Sequence, residues 1–382
     1  MIVLVATDAW HPQINGVVRT LEALCRSVSG QGAVIALLTP EGFPSLKVPT
    51  YPGLRCAIPN QREIARRIER AAPDAIHIAT EGPIGIAVRR YCLRHGLLFT
   101  TSLTTRFAEY VSARFPVPVS WGYAALRYFH AAATATMVST PSLKTELEGR
   151  GFSNLRMWSR GVDTALFHPD RAVHLDLPRP IFMNIGRIAI EKNLDAFLSL
   201  DLPGTKVVIG HGPQEAELAA RYPKAVFLGA MSGERLAAHL AAADIFVFPS
   251  LTDTFGIAQL EALACGVPVA AFPVTGPIDV VGDAPVGVLS KDLRQACLDA
   301  LTLSRAACRG HALGFSWARS ASQFLANLQP IRAGVHEAAA AVGGLGARAL
   351  GRDAGATSHE IARRSIGRPA EMDRHILRSW WR

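Results

Sequence analysis

The chain of 382 residues is short of several things, and each shortage removes a class of protein. Its six cysteines (Cys25, Cys56, Cys92, Cys265, Cys297, Cys308) are scattered, with no pair at metal-ligand spacing, so they read as reduced core thiols of a cytosolic protein. No apolar run reaches the length of a membrane span; residues 236–251 come nearest and are interrupted by His239 and Asp244. The first six residues carry no basic leader and read as a buried strand. The expected location is therefore cytoplasmic, either soluble or peripheral on the inner face of the cell membrane. There is no Asp-x-Asp metal motif, Walker loop, histidine cluster or Gly-x-Ser-x-Gly elbow, and no three-glycine dinucleotide fingerprint follows the first strand. A resident metal or cofactor is not expected, and a dehydrogenase is disfavoured. The net charge of +9 suits anionic partners, but with no lysine-rich run nucleic acid is discounted.

What is present is an ordinary α/β composition, 49% hydrophobic and 19% charged. Apolar strands over residues 2–7, 34–39, 75–79, 97–102 and 135–139 alternate with amphipathic helices over 17–28, 62–72, 86–95 and 142–150. Such alternation implies right-handed crossovers and a parallel sheet covered on both faces. A turn-rich, proline-bounded stretch follows over 160–180, and the alternation restarts with strands at 181–185, 206–209, 225–228, 245–249 and 268–271. The expected fold class is α/β with two doubly wound, Rossmann-like domains and a cleft between them. The expected boundaries are 1–165, 166–330 and a disordered Ala/Gly/Arg-rich tail over 331–382.

Ligands on such sheets bind at the carboxyl ends of strands, and the chemistry-bearing residues fall there. Asp253-Thr254-Phe255-Gly256-Ile257 leads from a strand end into a helix that carries Glu261. The backbone N–H groups at that helix start suit a phosphate. Glu261 falls about five residues in, roughly 7–8 Å from the start. Two carboxylates thus bracket a phosphate-friendly helix end, as the hydroxyls on either side of a nucleotide sugar's diphosphate require. Asn184-Ile185-Gly186-Arg187 and Glu191-Lys192-Asn193 supply cations; a lysine at a helix start opposes the dipole by about 0.3–1 kcal/mol unless an anion is near. Arg187 and Lys192 suit a departing diphosphate. Gly16, between the first strand and helix, allows close approach of a phosphate, and Gly210-His211-Gly212-Pro213 is a glycine turn that tight geometry explains as well as a ligand does.

Together these segments resemble the family-4 retaining glycosyltransferases of the GT-B fold, over residues 1–330. The likeness rests on Asp8-Ala9-Trp10-His11-Pro12-Gln13-Ile14-Asn15-Gly16-Val17, Gly161-Val162-Asp163, Gly186-Arg187, Glu191-Lys192-Asn193, Gly210-His211-Gly212-Pro213, residues 243–250 and the Asp253-to-Glu261 segment. The first and last of these look most like lipid glycosyltransferases of the diacylglycerol type and their mannosyltransferase kin. The resemblance implies that Glu261 holds the donor ribose, and that Arg187 and Lys192 hold the diphosphate. Asp253 with the amides of Phe255, Gly256 and Ile257 would hold hexose and phosphate, with Gly16 approaching from the first domain. No protein nucleophile is needed, since the leaving phosphate accepts the acceptor's proton.

Two departures stand out. Asp253 replaces the first glutamate of the family's Glu-x7-Glu pattern, and Thr104 stands where relatives usually carry a histidine that contacts the donor sugar. The aromatic and basic stretch 106–130, with Arg106, Tyr110 and Trp121, is read either as an acceptor or membrane face or as a helical stripe packing in the core. The expected partners are a UDP- or GDP-sugar, a lipid acceptor and the membrane surface. A nucleotide-sugar epimerase of the same fold and a non-catalytic sugar- or lipid-binding relative are the alternatives.

Overall fold

The computed structural model describes residues 1–13, 15–47, 55–112 and 115–331. The tail expected over 331–382 lies, apart from Ile331, outside the described residues, as does Ile14 of the first motif.

In the first half the strands are β1 (Ile2–Ala6), β2 (Val34–Leu38), β3 (Ser45–Lys47), β4 (Arg55–Ala57), β5 (Ala75–Ile78), β6 (Thr100–Ser102), β7 (Ala135–Val138) and β8 (Leu155–Met157). Six of them form a sheet in the order β2-β1-β5-β6-β7-β8, and β3 and β4 make a small antiparallel pair. In the second half β9 (Ile181–Ile185), β10 (Thr205–Ile209), β11 (Val226–Phe227), β12 (Ile245–Phe248), β13 (Val269–Ala271) and β14 (Gly287–Leu289) lie in the order β11-β10-β9-β12-β13-β14. Both six-stranded sheets are parallel throughout; Val5, for example, stands opposite Leu37 on one side and His77 on the other. In each, the first strand is flanked by the second on one side and a later strand on the other. That reversal opens a crevice at the carboxyl edge. Strands buried on both faces must be apolar at successive positions, and Val3, Leu4, Val5 and Ala6, like Ile181, Phe182 and Met183, are almost wholly enclosed.

The halves exchange an element. Helix Trp317–Asn327 follows the second sheet in sequence but packs on the first: Ala321, Phe324 and Leu328 share a core with Val3, Val5, Leu21 and Trp158. The Trp158 indole donates to Ser320 Oγ (3.1 Å), and the Gln323 side chain accepts from the Ser159 amide (2.9 Å). The domain expected over 166–330 is thus interrupted at its end, because the apolar face of this last helix is buried by the first sheet. Two chain crossings run side by side here. A side chain at Gly161 would stand 2.4 Å from the Trp317 nitrogen, so this crossing admits only glycine.

Residues 106–130 form two helices, Phe107–Ser112 and Val119–His130. Both readings of this stretch hold for part of it. Tyr123, Leu126 and Phe129 are core, whereas Phe107, Trp121 and Tyr128 are exposed. Trp121 and Tyr128, seven residues apart, share a helix face. All six cysteines are free; burial pushes the thiols of Cys92, Cys265 and Cys297 up to about 12, which leaves them protonated and unreactive.

Candidate active site

The carboxyl edge of the second sheet brings most of the donor-side residues together. Gly186 and Arg187 follow β9, and Lys192 ends the short turn Ile190–Lys192. Lys192 Nζ donates to both carboxylate oxygens of Asp253, at 2.6 and 2.8 Å, and both side chains are mostly shielded. The anion that a lysine at this position requires is therefore Asp253 itself. The loop is held by Asn193, left-handed at φ 52°, whose side-chain amide donates to Pro249 O (3.1 Å), and by Ser250, whose hydroxyl donates to Glu191 O (3.2 Å).

Helix Ile257–Ala264 begins beside this pair with no side-chain cap on its first amides. Gly256 precedes it at φ 79°, where a Cβ would meet the Phe248 ring at 2.7 Å and Gln259 Nε2 at 2.5 Å. Glycine is required here both by conformation and by space. Phe255 is buried, and its carbonyl accepts from the Gln259 side chain (3.1 Å).

Glu261 is 4% exposed and has a partner that sequence reading missed: Arg19 Nη1 reaches its two oxygens at 2.9 and 3.2 Å from the first helix, Gly16–Val28. Burial pushes the Glu261 carboxyl above its ordinary value, and Arg19 opposes that rise. Arg19 lies one helical turn after Gly16. At Gly16 a Cβ would meet nothing within 4 Å, so the space before it is open, while Asn15 Oδ1 already accepts from the Val17 and Val18 amides.

The first half meets this site through hydroxyls and backbone. Ser139 Oγ donates to Thr254 O (2.9 Å), Thr254 Oγ1 donates to Thr104 O (2.8 Å), and Ser142 bonds Asp279 through both its amide and its hydroxyl. Thr104 thus stands one residue away from Asp253 across the cleft. Its own hydroxyl is enclosed and has no protein partner. An orphaned buried hydroxyl costs about 1–3 kcal/mol.

Other expectations resolve differently. A Cβ at Gly210 would stand 1.8 Å from Gly186 O, and one at Gly212 2.1 Å from Ile188 O, so that turn is glycine-rich because it backs the Gly186 loop. Arg106 does not face an acceptor or a membrane. It is 8% exposed, bonded to Glu146 at 2.6 Å and Glu109 at 3.1 Å, and although burial works against its charge, these carboxylates hold its pKa above the ordinary value. It precedes helix Phe107–Ser112, and its side chain reaches Glu109 of that helix and Glu146 of the helix Pro141–Gly149. Tyr110 is half-buried in the same short helix, and Trp121 stays on the surface. His77 and His130 are wholly buried; His77 contacts Thr100 and Ser102, and burial depresses it to about 3. Among the described residues no group of three metal-ligating side chains occurs, and no helix is long and apolar enough to cross a membrane.

Residues 14–166 match the model described as glycosyltransferase family 4, and residues 179–303 match that of glycosyl transferases group 1. The chain is 30% identical over 320 residues to the GDP-mannose-dependent alpha-mannosyltransferase of Mycolicibacterium smegmatis, covering 76% of this chain and 84% of that one. The chain belongs to glycosyltransferase family 4. It is an enzyme that transfers a sugar, which decides against an epimerase and against a non-catalytic binding protein. A more distant relative is the GDP-mannose-dependent alpha-(1-6)-phosphatidylinositol dimannoside mannosyltransferase of Mycobacterium tuberculosis, 26% identical over 312 residues, covering 75% of this chain and 81% of that one. Sucrose-phosphate synthase of Thermosynechococcus elongatus has the same fold, with a TM-score of 0.68 at 18% identity, over 89% of this chain and 99% of that one. Paired parallel sheets with a cleft between their carboxyl edges are the GT-B arrangement of this glycosyltransferase family.

Proposed function

We propose that the enzyme moves a hexose, with retention, from a GDP- or UDP-sugar to a hydroxyl of a membrane lipid. The observation that carries this reading is the cluster of Lys192, Asp253 and Glu261 around the uncapped start of helix Ile257–Ala264. Arg187 and Lys192 neutralise the departing diphosphate, and the amides of Phe255, Gly256 and Ile257 take its oxygens. Asp253, held in place by Lys192, accepts from hexose hydroxyls; Glu261 accepts from the ribose, which replaces Arg19 as its partner. The Thr104 hydroxyl, unsatisfied in the free enzyme, gives the sugar its hydrogen bond from the opposite wall. The leaving phosphate takes the acceptor's proton as the new glycosidic bond forms, so no side chain serves as nucleophile.

Among donors, GDP-mannose has the support of both named relatives, and the phosphatidylinositol-based acceptor of one of them supports a lipid. Exposed Phe107, Trp121 and Tyr128 suit a peripheral contact with the membrane surface. The test is a matrix of UDP- and GDP-sugars against lipid extracts, read by mass spectrometry. A glycolipid formed from one donor is the expected result; products on soluble acceptors alone would overturn the lipid assignment. With two cations at the diphosphate, activity should survive EDTA, and loss that manganese or magnesium restores would count against that role.

A further inference from the structure

Buried charges in this protein come with counter-charges, Glu261 with Arg19 and Arg106 with Glu146 and Glu109. Arg160 is the exception among the buried charged side chains of the described residues. It is 5% exposed and stands just beyond β8. Its Nη1 donates to Trp158 O at 2.6 Å and to Ser159 O at 3.4 Å, and its guanidinium lies 4.2 Å over the Trp158 ring. Nε and Nη2 donate to nothing among the described residues. Unlike Arg106 Nε, they are not sealed from solvent.

No carboxylate offsets the charge: burial, with nothing opposing it, pulls the Arg160 pKa down to about 9, which still leaves a cation at neutral pH. Nearby His77 is held neutral by burial first and by Arg160 second, so it adds no second positive charge there. A buried cation without a counter-charge costs several kcal/mol. An apolar or neutral residue would avoid that cost, and the two carbonyl contacts alone do not need a guanidinium. The residue also lies at the carboxyl edge of the first sheet, the edge that meets the second half through Ser139 and Thr254.

We propose that Arg160 is an anion-binding subsite for the acceptor, receiving a phosphate, sulfonate or carboxylate group through its free N–H fork. A guanidinium fork matches the paired oxygens of such groups. The inference rests on the donor reading above, in which Arg187 and Lys192 on the other sheet already serve the donor's diphosphate. It deepens that reading by making the acceptor an anionic molecule.

The test uses the full chain, with Arg160→Gln, Arg160→Lys and Lys192→Ala, and with inorganic phosphate, GDP and UDP as probes in calorimetry and thermal unfolding. Phosphate affinity should fall about tenfold or more in Arg160→Gln and less in Arg160→Lys, which keeps the charge and loses the fork. Nucleotide affinity should stay unchanged in both and fall in Lys192→Ala. Without phosphate, Arg160→Gln should unfold at the same or a higher temperature, because an unpaired buried charge has been removed. Unchanged phosphate affinity, or no phosphate binding by the natural protein, overturns the subsite. So does a fall of several degrees in unfolding temperature with phosphate binding intact, which would make Arg160 a clamp on the Trp158 carbonyl. Parallel loss of nucleotide binding in Arg160→Gln would assign the anion to the donor and overturn the acceptor role. If Lys192→Ala leaves nucleotide binding intact, the donor reading fails while the phosphate result still stands by itself.

Discussion

On the second sheet the cleft edge carries charges that already have partners: Lys192 with Asp253, and Glu261 with Arg19 from across the cleft. On the first sheet the edge carries hydroxyls, one of them orphaned at Thr104, and the uncompensated guanidinium of Arg160. Both edges belong to six-stranded sheets that are parallel throughout. Their difference is electrostatic. Paired charges are held in position at low cost and exchange partners when a substrate arrives. Orphaned groups are costly while empty and recover that cost only when a ligand fills them. The donor wall is therefore ready in the free enzyme, and the facing wall is completed by its ligands.

The sharpest way to break this comparison is at Lys192. Lys192→Ala should lower kcat by about 10²–10³-fold, since leaving-group charge grows in the transition state, and weaken donor binding much less. The double variant Lys192→Ala/Asp253→Asn separates that role from the cost of stranding Asp253. Recovery of most of the lost kcat in the double variant would show that Lys192 serves only to neutralise Asp253 and does not act on the leaving group.

Next in size is Glu261→Ala, which should weaken donor binding by about 1.5–3 kcal/mol in calorimetry through lost charge-assisted hydrogen bonds. Arg19→Met should not weaken it, because Arg19 competes with the ribose for the same oxygens. Equal losses in the two variants would mean that closure by the ion pair, and not ribose contact, is what matters.

At Thr104 the two measurements should move in opposite directions. Thr104→Val removes an enclosed, unpartnered hydroxyl, so the free enzyme should gain up to about 1 kcal/mol of stability while kcat/KM falls by about 1–3 kcal/mol. Thr104→His should remain active with a modest change of rate or donor preference. A valine variant with natural kcat/KM would remove the hydroxyl from the sugar site.

The smallest effect is a pH dependence at Glu261. Its carboxyl sits above the ordinary 4.5, because burial outweighs the pull of Arg19. A folded-state pKa raised in this way leaves stability whole below the unfolded pKa and erodes it as pH rises through the raised value. Glu261→Gln escapes that erosion. Measured by denaturant unfolding, its stability relative to the natural protein should climb from about pH 4.5 upward, by about 1.4 kcal/mol per pH unit of displacement. A flat difference across that window would mean that Arg19 offsets burial fully.

Strand and helix alternation, the restart after residue 180 and the glycine and charge motifs at strand ends were all legible from the chain alone. They rest on local physics: buried parallel strands must be apolar, and turns at their ends need glycine. The grouping of Lys192 with Asp253 followed from the rule that strand ends of one sheet converge. What the tertiary structure alone decided depends on separation and register. Arg19 and Glu261 are 242 positions apart, and Thr104 and Thr254 are 150 apart, so no local pattern links them. Whether Arg106 faced an acceptor or the core stayed open in the sequence because composition does not record how a segment packs; Glu109 and Glu146 became its partners only once the helices that carry them were in place. The last helix was not among the elements read from the sequence, nor was the sheet that buries its apolar face. That choice belongs to the shape of the whole core, where Phe324 fits against Trp158 and Val5 of a half that ended, in sequence, far upstream.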